Sequence, residues 1–560
     1  MLHDRPRVSD LRALKTDLTI IGGGPIGIVT AVAARAAGVR VLVLESGGLT
    51  ADPAIQSLSD ETITTPDTHH EGALTTARRL GGAGHLWGGR CVPFDPIDFK
   101  GRPWLPGCTQ DWPITAADLE PYLVPALTYL GAGPPVFEHP FPKAPPPGPG
   151  FSIRRLERWC ADPRTDRCHM SRLRSDPDLH IALGCSVRAA YRDGSQIVGL
   201  DVWTEAEAAA SLLPVRQVIL AAGGLASTRL LLALQQTDPT LFGGAEGPLG
   251  RYYMGHLNGQ IADITFDDPA LRTAFAYEKD AAGGYVRRRI TPDEKLQHDQ
   301  RLSNVAFWPV VPEIADARHR SGPLSAIFLG LSTPWLGPRL IAEAIRRKHI
   351  GTPPYRRLPH LQNLVTDLLG TLGFVPAFLW QRYGARPRMP GVFLHNPGHR
   401  YGLEFHAEHL PHAESRITLD PGRRDRTGLS HARVDFRFTQ ADAAPILRAH
   451  DALERWLMDA GLGRLDYRYG PDVPARGIFA EAKHGNHQIG TIRMGHDARD
   501  GVVNHWGTCF GLRNLHVAST AVLRSSSQAN PTLAAVQLAL RLVAHLRETG
   551  ALTGQEAKHG

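Results

Sequence analysis

The residues best suited to chemistry begin near the start of the chain. Gly22-Gly23-Gly24-Pro25-Ile26-Gly27 follows an apolar run and fits G-x-G-x-x-G. At this spacing Gly22 makes a tight turn, Gly24 lets backbone approach a pyrophosphate, and Gly27 permits close helix–strand contact. The helix that starts there would turn its unpaired N–H groups toward the phosphates. Glu45 stands 18 residues after Gly27, about where a carboxylate meets a ribose hydroxyl. The 26 histidines are possible general bases, but residue type alone selects none of them. Six scattered cysteines contain no C-x-x-C. That argues against a zinc ribbon, haem attachment or an iron–sulfur cluster, and no metal site is expected.

These residues need elements to hold them. Leu18–Ile21 reads as a strand, Ile28–Ala34 as a helix and Val41–Leu44 as a second strand, together a dinucleotide-binding βαβ unit. Gln217–Leu220 is a third strand, ending in small residues and followed by a helix from Leu225 to Leu232. Asn514–Ser519 is a fourth, and Asn530-Pro531-Thr532 opens a helix through Leu546 with Asn530 in the N-cap position. The two ends of the chain would therefore build one domain around a long insertion. Within that insertion, 416–419 and 432–438 alternate like half-buried antiparallel strands. Thr439 and Asp442 mark the start of an amphipathic helix through Leu457, with Pro445 in doubt for its first turn.

Composition bounds the rest. A chain of 560 residues with 42% hydrophobic and 21% charged residues is globular and has two or more domains. A net charge of +7 over that length is too dilute to argue for nucleic acid. The polar N-terminus does not read as a secretory h-region, and few cysteines fit a reduced, cytoplasmic protein. Residues 134–150 are rich in Pro and Gly and read as a linker or lid. The 18 residues from Asn363 to Trp380 carry one charge, Asp367, and are flanked by Arg356, Arg357, Arg382, Arg386 and Arg388. They are too short to span a bilayer and contain Pro376, so a core or lid helix is expected, with monotopic membrane contact or docking of an electron-accepting partner as the alternatives.

The sequence resembles the glucose–methanol–choline (GMC) oxidoreductases nearly end to end. The resemblance is carried by the glycine motif with Glu45, Arg79-Leu80-Gly81-Gly82-Ala83-Gly84-His85-Leu86-Trp87-Gly88-Gly89, Asp111-Trp112-Pro113-Ile114 and Leu220-Ala221-Ala222-Gly223. Later carriers are Leu249 to Met254 with His256, His487-Gln488-Ile489-Gly490-Thr491, and Asn530-Pro531-Thr532. The tail is most similar to the pyranose oxidase and sugar dehydrogenase branch.

This resemblance implies an α/β FAD-binding Rossmann-like domain and an inserted α+β substrate domain with an antiparallel sheet. The FAD domain would take residues 1–133, 180–256 and 480–560, and the substrate domain 151–179 and 257–479. FAD would be held by Gly22, Gly24, Pro25, Ile26 and Gly27, with Glu45 and Ser46 at the ribose. Arg79, Gly81, Gly82, His85, Leu86, Trp87 and Gly88 would run along the isoalloxazine. Val187, Ala222, Gly223, Ser519, Pro531 and Thr532 complete the set. In some relatives a His just before the Trp carries FAD covalently; here that position is Leu86, so noncovalent FAD is expected.

The implied reaction is oxidation of an alcohol on a sugar, glycoside or polyol, with hydride passing to flavin N5. His487 would be the base and Asn530 the partner that holds the substrate oxygen, with His484 as the local rival. Oxygen, a quinone or another acceptor would take the electrons. Two alternatives share the scaffold: a GMC-type lyase, and a membrane-associated dehydrogenase component that feeds a quinone or protein acceptor.

Overall fold

The computed structural model describes residues 1–141, 150–337, 350–391, 393–396, 398–470 and 474–552. Residues 142–149, the centre of the expected linker or lid, lie outside the described residues.

The glycine motif and Glu45 hang on a parallel sheet. Its six strands run in the spatial order Leu2–Asp4, Leu179–Leu183, Val41–Glu45, Leu18–Ile21, Gln217–Leu220 and Leu515–Val517. Every residue of Leu18–Ile21 and Val41–Glu45 is buried, which is why these strands read as unbroken apolar runs instead of alternating. The C-terminal strand pairs with Gln217–Leu220 through Val218↔Leu515, so the chain ends do meet in one sheet. The helices Pro25–Ala36 and Thr532–Glu548 pack on each other.

Two features depart from the sequence reading here. The polar N-terminus supplies the edge strand Leu2–Asp4, held in register by Leu2↔Ile181, and a short helix whose Val8 and Leu11 are buried. The helix Thr165–Ser175, expected with the substrate domain at 151–179, packs on Pro25–Ala36.

The inserted part centres on an antiparallel sheet in the order Val305–Val310, Arg400–Glu408, His256–Phe266, Gly463–Tyr467. Phe307 and Phe405 share a core with Ala443, Ile446 and Leu453 of the helix Gln440–Asp459. That helix begins with the expected Thr439/Asp442 capping box and continues through a buried Pro445. The strands read at 416–419 and 432–438 form Arg416–Arg424 and Ser430–Asp435, which pair with each other and with Thr62–Ile63 in a separate sheet.

The apolar segment 363–380, expected as a core or lid helix, is not one helix of the core. It belongs to two helices, Leu358–Thr366 and Leu368–Leu379, broken at Asp367. Much of it faces outward: Val365 is 79% and Leu369 85% exposed.

Candidate active site

The site grows from the first turn of the parallel sheet. Gly22 adopts φ +107°, a left-handed conformation that any side chain would strain. A Cβ on Gly27 would lie 2.0 Å from the Gly22 carbonyl oxygen, so helix and strand touch as the spacing predicts. A Cβ on Gly24 would meet nothing within 4 Å, which leaves the turn open to a cleft. Glu45 is buried at the end of its strand, where Oε2 accepts from Gly23 N at 2.8 Å and Oε1 from Gly47 N at 2.9 Å. Burial still raises its pKa above the usual carboxylate range, against the pull of those two N–H groups.

The cleft encloses about 1570 Å³, open mouth included. Gly22, Gly24, Pro25, Ile26, Glu45, Ser46, Gly82, Val187, Ala222, Gly223, Pro531, Thr532 and His487 all line it. Arg79, Gly81, His85, Leu86, Trp87 and Gly88 are not among the lining residues. Gly81 N donates to Gly23 O at 2.8 Å, which lays this segment across the glycine turn. From there only Gly82 and Ala83 reach the cleft, while Trp87 Nε1 donates to Pro163 O at 2.6 Å. His85 Nε2 pairs with Leu80 O at 2.9 Å. Ser519 turns its hydroxyl to Ala521 N at 3.2 Å, and the next residue, Thr520, lines the wall. Gly27 contributes through packing alone.

Sequence reasoning missed several lining groups. Arg78, not Arg79, reaches the wall, bonded to Ser59 Oγ at 2.8 Å and Ser46 Oγ at 3.2 Å. Arg229 and Glu61 lie beside it. Burial lifts the Glu61 carboxyl to about 7, and its buried Oε2 has no hydrogen-bond partner. The open glycine turn, the helix N-terminus at Pro25 and this orphaned acceptor fit a dinucleotide such as FAD.

At the other end of the cleft the histidines define a chain of hydrogen bonds. His256 Nε2 lies 3.0 Å from Ser526 O and 3.1 Å from Ala529 O, so it carries the proton. Its Nδ1 is then a lone pair, and His487 Nδ1, 2.8 Å away, must be the donor. That leaves a lone pair on His487 Nε2, which accepts from Asn530 Nδ2 at 3.2 Å. The amide orientation is fixed independently, because Asn530 Oδ1 accepts from Arg90 Nε at 2.5 Å. Both ends of the network therefore give the same tautomer. Burial, with His256 and the Arg90 cation adding to it, holds the His487 pKa well below 6.5.

Asn530 thus differs from the expected N-cap. The helix starts at Thr532 with Pro531 as its cap residue and no side-chain capping bond. His406 stacks on His256 at 4.2 Å and donates from Nδ1 to Gln528 O at 2.7 Å. Gln528 is buried and bonds Arg289 and Asp95. Arg524 is buried in an ion pair with Asp500 at 2.6 Å. His484 is buried beneath His487, ring centroids 4.9 Å apart, and does not line the cleft. Ring nitrogens of His256, His406 and His487 fall within 4.8 Å of one another, a metal-site spacing the sequence did not foresee. Two of these rings are already hydrogen-bonded to each other.

The chain is similar to three known proteins and to one family model. A 2-methyl-1,2-propanediol dehydrogenase from Mycolicibacterium austroafricanum is 22% identical over 94% of both chains. The fructose dehydrogenase large subunit from Gluconobacter japonicus is 30% identical over 25% of this chain and 24% of its own. An FAD-dependent oxidoreductase from Chaetomium thermophilum, solved with a bound fragment, has the same fold at TM-score 0.52, with 17% identity over 95% of this chain and 99% of that one. Residues 411–539, which include both His487 and Asn530, match the family model described as GMC oxidoreductase. Over residues 411–539 the chain is therefore similar to the GMC oxidoreductases.

Proposed function

We propose that the protein oxidises an alcohol group of a sugar, glycoside or polyol to a carbonyl, using noncovalent FAD and His487 as base. The observation that carries this reading is the lone pair on His487 Nε2, held at the cleft wall by His256 behind it and Asn530 beside it. A substrate hydroxyl that displaces the Asn530 contact would give its proton to Nε2, while the freed amide N–H holds the substrate oxygen. Arg90, bonded to Asn530 Oδ1, keeps that amide oriented. The new charge on His487 is met through Nδ1–H by the His256 lone pair, whose ring is anchored to two carbonyls. Bound FAD supplies the hydride acceptor. A low His487 pKa keeps the base neutral at pH 7.

The relatives named for a diol and for fructose support a hydroxyl-bearing substrate. Noncovalent attachment is supported by Leu86, which is 47% exposed, and by the hydrogen bond that occupies His85. Anaerobic mixing with a panel of sugars, glycosides, polyols and aryl alcohols tests the reading. A sugar or polyol should bleach the flavin, and acid precipitation should then leave the flavin in the supernatant. An oxidised flavin throughout, with cleavage of a cyanohydrin, would overturn the oxidoreductase in favour of a lyase.

A further inference from the structure

We propose that the helix pair Leu358–Leu379 is a docking surface for an anionic lipid bilayer, lying in the headgroup region without crossing it. Among the described residues no helix is long and apolar enough to span a membrane.

The pair is inside out. Its inward face is polar: buried His360 and Asn363 bond Ser325 Oγ at 3.1 Å each, and Asp367 Oδ2 accepts from Gly322 N at 2.8 Å. His360 also stacks on Phe328 at 3.9 Å. The outward side carries Leu358, Leu361 and Val365, at helical spacing on the first helix, and Leu368 and Leu372, at helical spacing on the second. These are 68%, 48%, 79%, 53% and 63% exposed. With Leu369, Ile327, Trp335 and Trp380 they make up nine of the twenty large hydrophobic residues that are exposed in the described chain. A soluble monomer scatters such residues singly; a continuous patch marks an interface.

Charge selects the occupant. Residues 338–398 contain nine Arg and Lys against two acids, so this segment alone accounts for the net +7 of the chain. The charge that looks dilute over 560 residues is concentrated in this segment of sequence, and among its described residues Arg356 and Arg386, one before and one after the helix pair, are exposed. Trp335 and Trp380, 66% and 69% exposed, have the amphipathic rings that settle at headgroup depth. Apolar side, basic flanking sequence and exposed tryptophans together describe an interfacial helix.

Flotation of the FAD-loaded protein with vesicles decides it. The protein should rise with vesicles containing a third phosphatidylglycerol and remain below with pure phosphatidylcholine, and added salt should weaken the association. Leu369→Glu with Leu372→Glu should reduce binding on the order of tenfold or more, with flavin content and anaerobic reduction unchanged. Val365→Ser provides a milder variant if the double one is lost on expression. The proposal is overturned if the wild-type protein ignores anionic vesicles, or if the double variant floats equally well. It is also overturned if sedimentation shows a dimer that these substitutions dissociate, because the face would then be covered by a second copy.

Discussion

The histidine site and the helix pair break opposite rules. Around His487 polar rings are buried; on the helix pair leucines are exposed. In the first region the chain of bonds that ends at His487 is answered inside the protein, His256 by two carbonyls, His406 by a third and Asn530 by Arg90, while the neighbouring His484 keeps an unpartnered Nδ1. Such closed networks fix one arrangement of protons, because any other tautomer leaves a buried donor facing a donor. In the second region the polar side of the helices is answered inside, by Ser325 and Gly322, and the apolar side is not. A buried exception that is fully satisfied positions chemistry. An exposed exception that is unsatisfied waits for something outside.

The largest test of this contrast is His487→Ala. Losing the base should slow anaerobic flavin reduction by roughly 10²–10⁴-fold with FAD still bound; a wild-type rate would move the base elsewhere, His484 first. Next comes His256→Leu, which removes the acceptor that fixes the His487 tautomer. Stopped flow should show kcat down by about 10–100-fold with KM little changed, and His256→Asn, whose amide oxygen can accept, should recover part of the loss. Glu45→Ala should weaken FAD retention by about 1–3 kcal/mol in a titration of apoprotein, as for a charge-assisted hydrogen bond. The smallest effect belongs to the outer face: Leu369→Glu should leave the folding free energy within about 0.5 kcal/mol, since an exposed side chain loses no packing. A marked drop in the urea midpoint would mean that this leucine is covered.

What the sequence made legible followed from range. The glycine turn and Glu45 are spelled out by neighbours within one βαβ unit, and turn geometry leaves few residues that fit. His487 was found through a local H-x-x-G-T. Asn530 was read beside it from N-P-T, but the groups that hold the two were not: His256 lies 231 residues from His487, and Arg90 meets Asn530 across 440. Nothing near any of these residues signals the pairing. Asn530 before Pro531 imitates a helix cap, so local reasoning read it both as a cap and as the partner of His487, and the structure has no side-chain capping bond there. Arg78 and Arg79 are adjacent and alike, and only the path of the chain decides which one reaches the cleft. For the helix pair, hydropathy gave the apolar content correctly but not its direction, because periodicity does not say which side of a helix meets the body.

Keeping so many histidines uncharged has a consequence for the fold as a whole. His69, His450 and His516 are buried with values pushed down to about 4, about 4 and about 3, and burial holds His256, His406, His484 and His487 well below 6.5. Unfolded, each would titrate near ~6.5. Above that value folded and unfolded chains bind equal protons at these sites, and they leave stability unchanged. As pH falls from about 6.5 toward 4 the unfolded chain takes up protons that the native one refuses, and each buried ring removes up to ~1.4 kcal/mol per pH unit. Against a total of about 5–15 kcal/mol, several such rings weigh heavily. Urea midpoints across this range should fall, offset in part by Glu61 and Asp98, whose carboxyls burial lifts to about 7. The arrangement that keeps the base ready near neutrality thus works against the fold in mild acid.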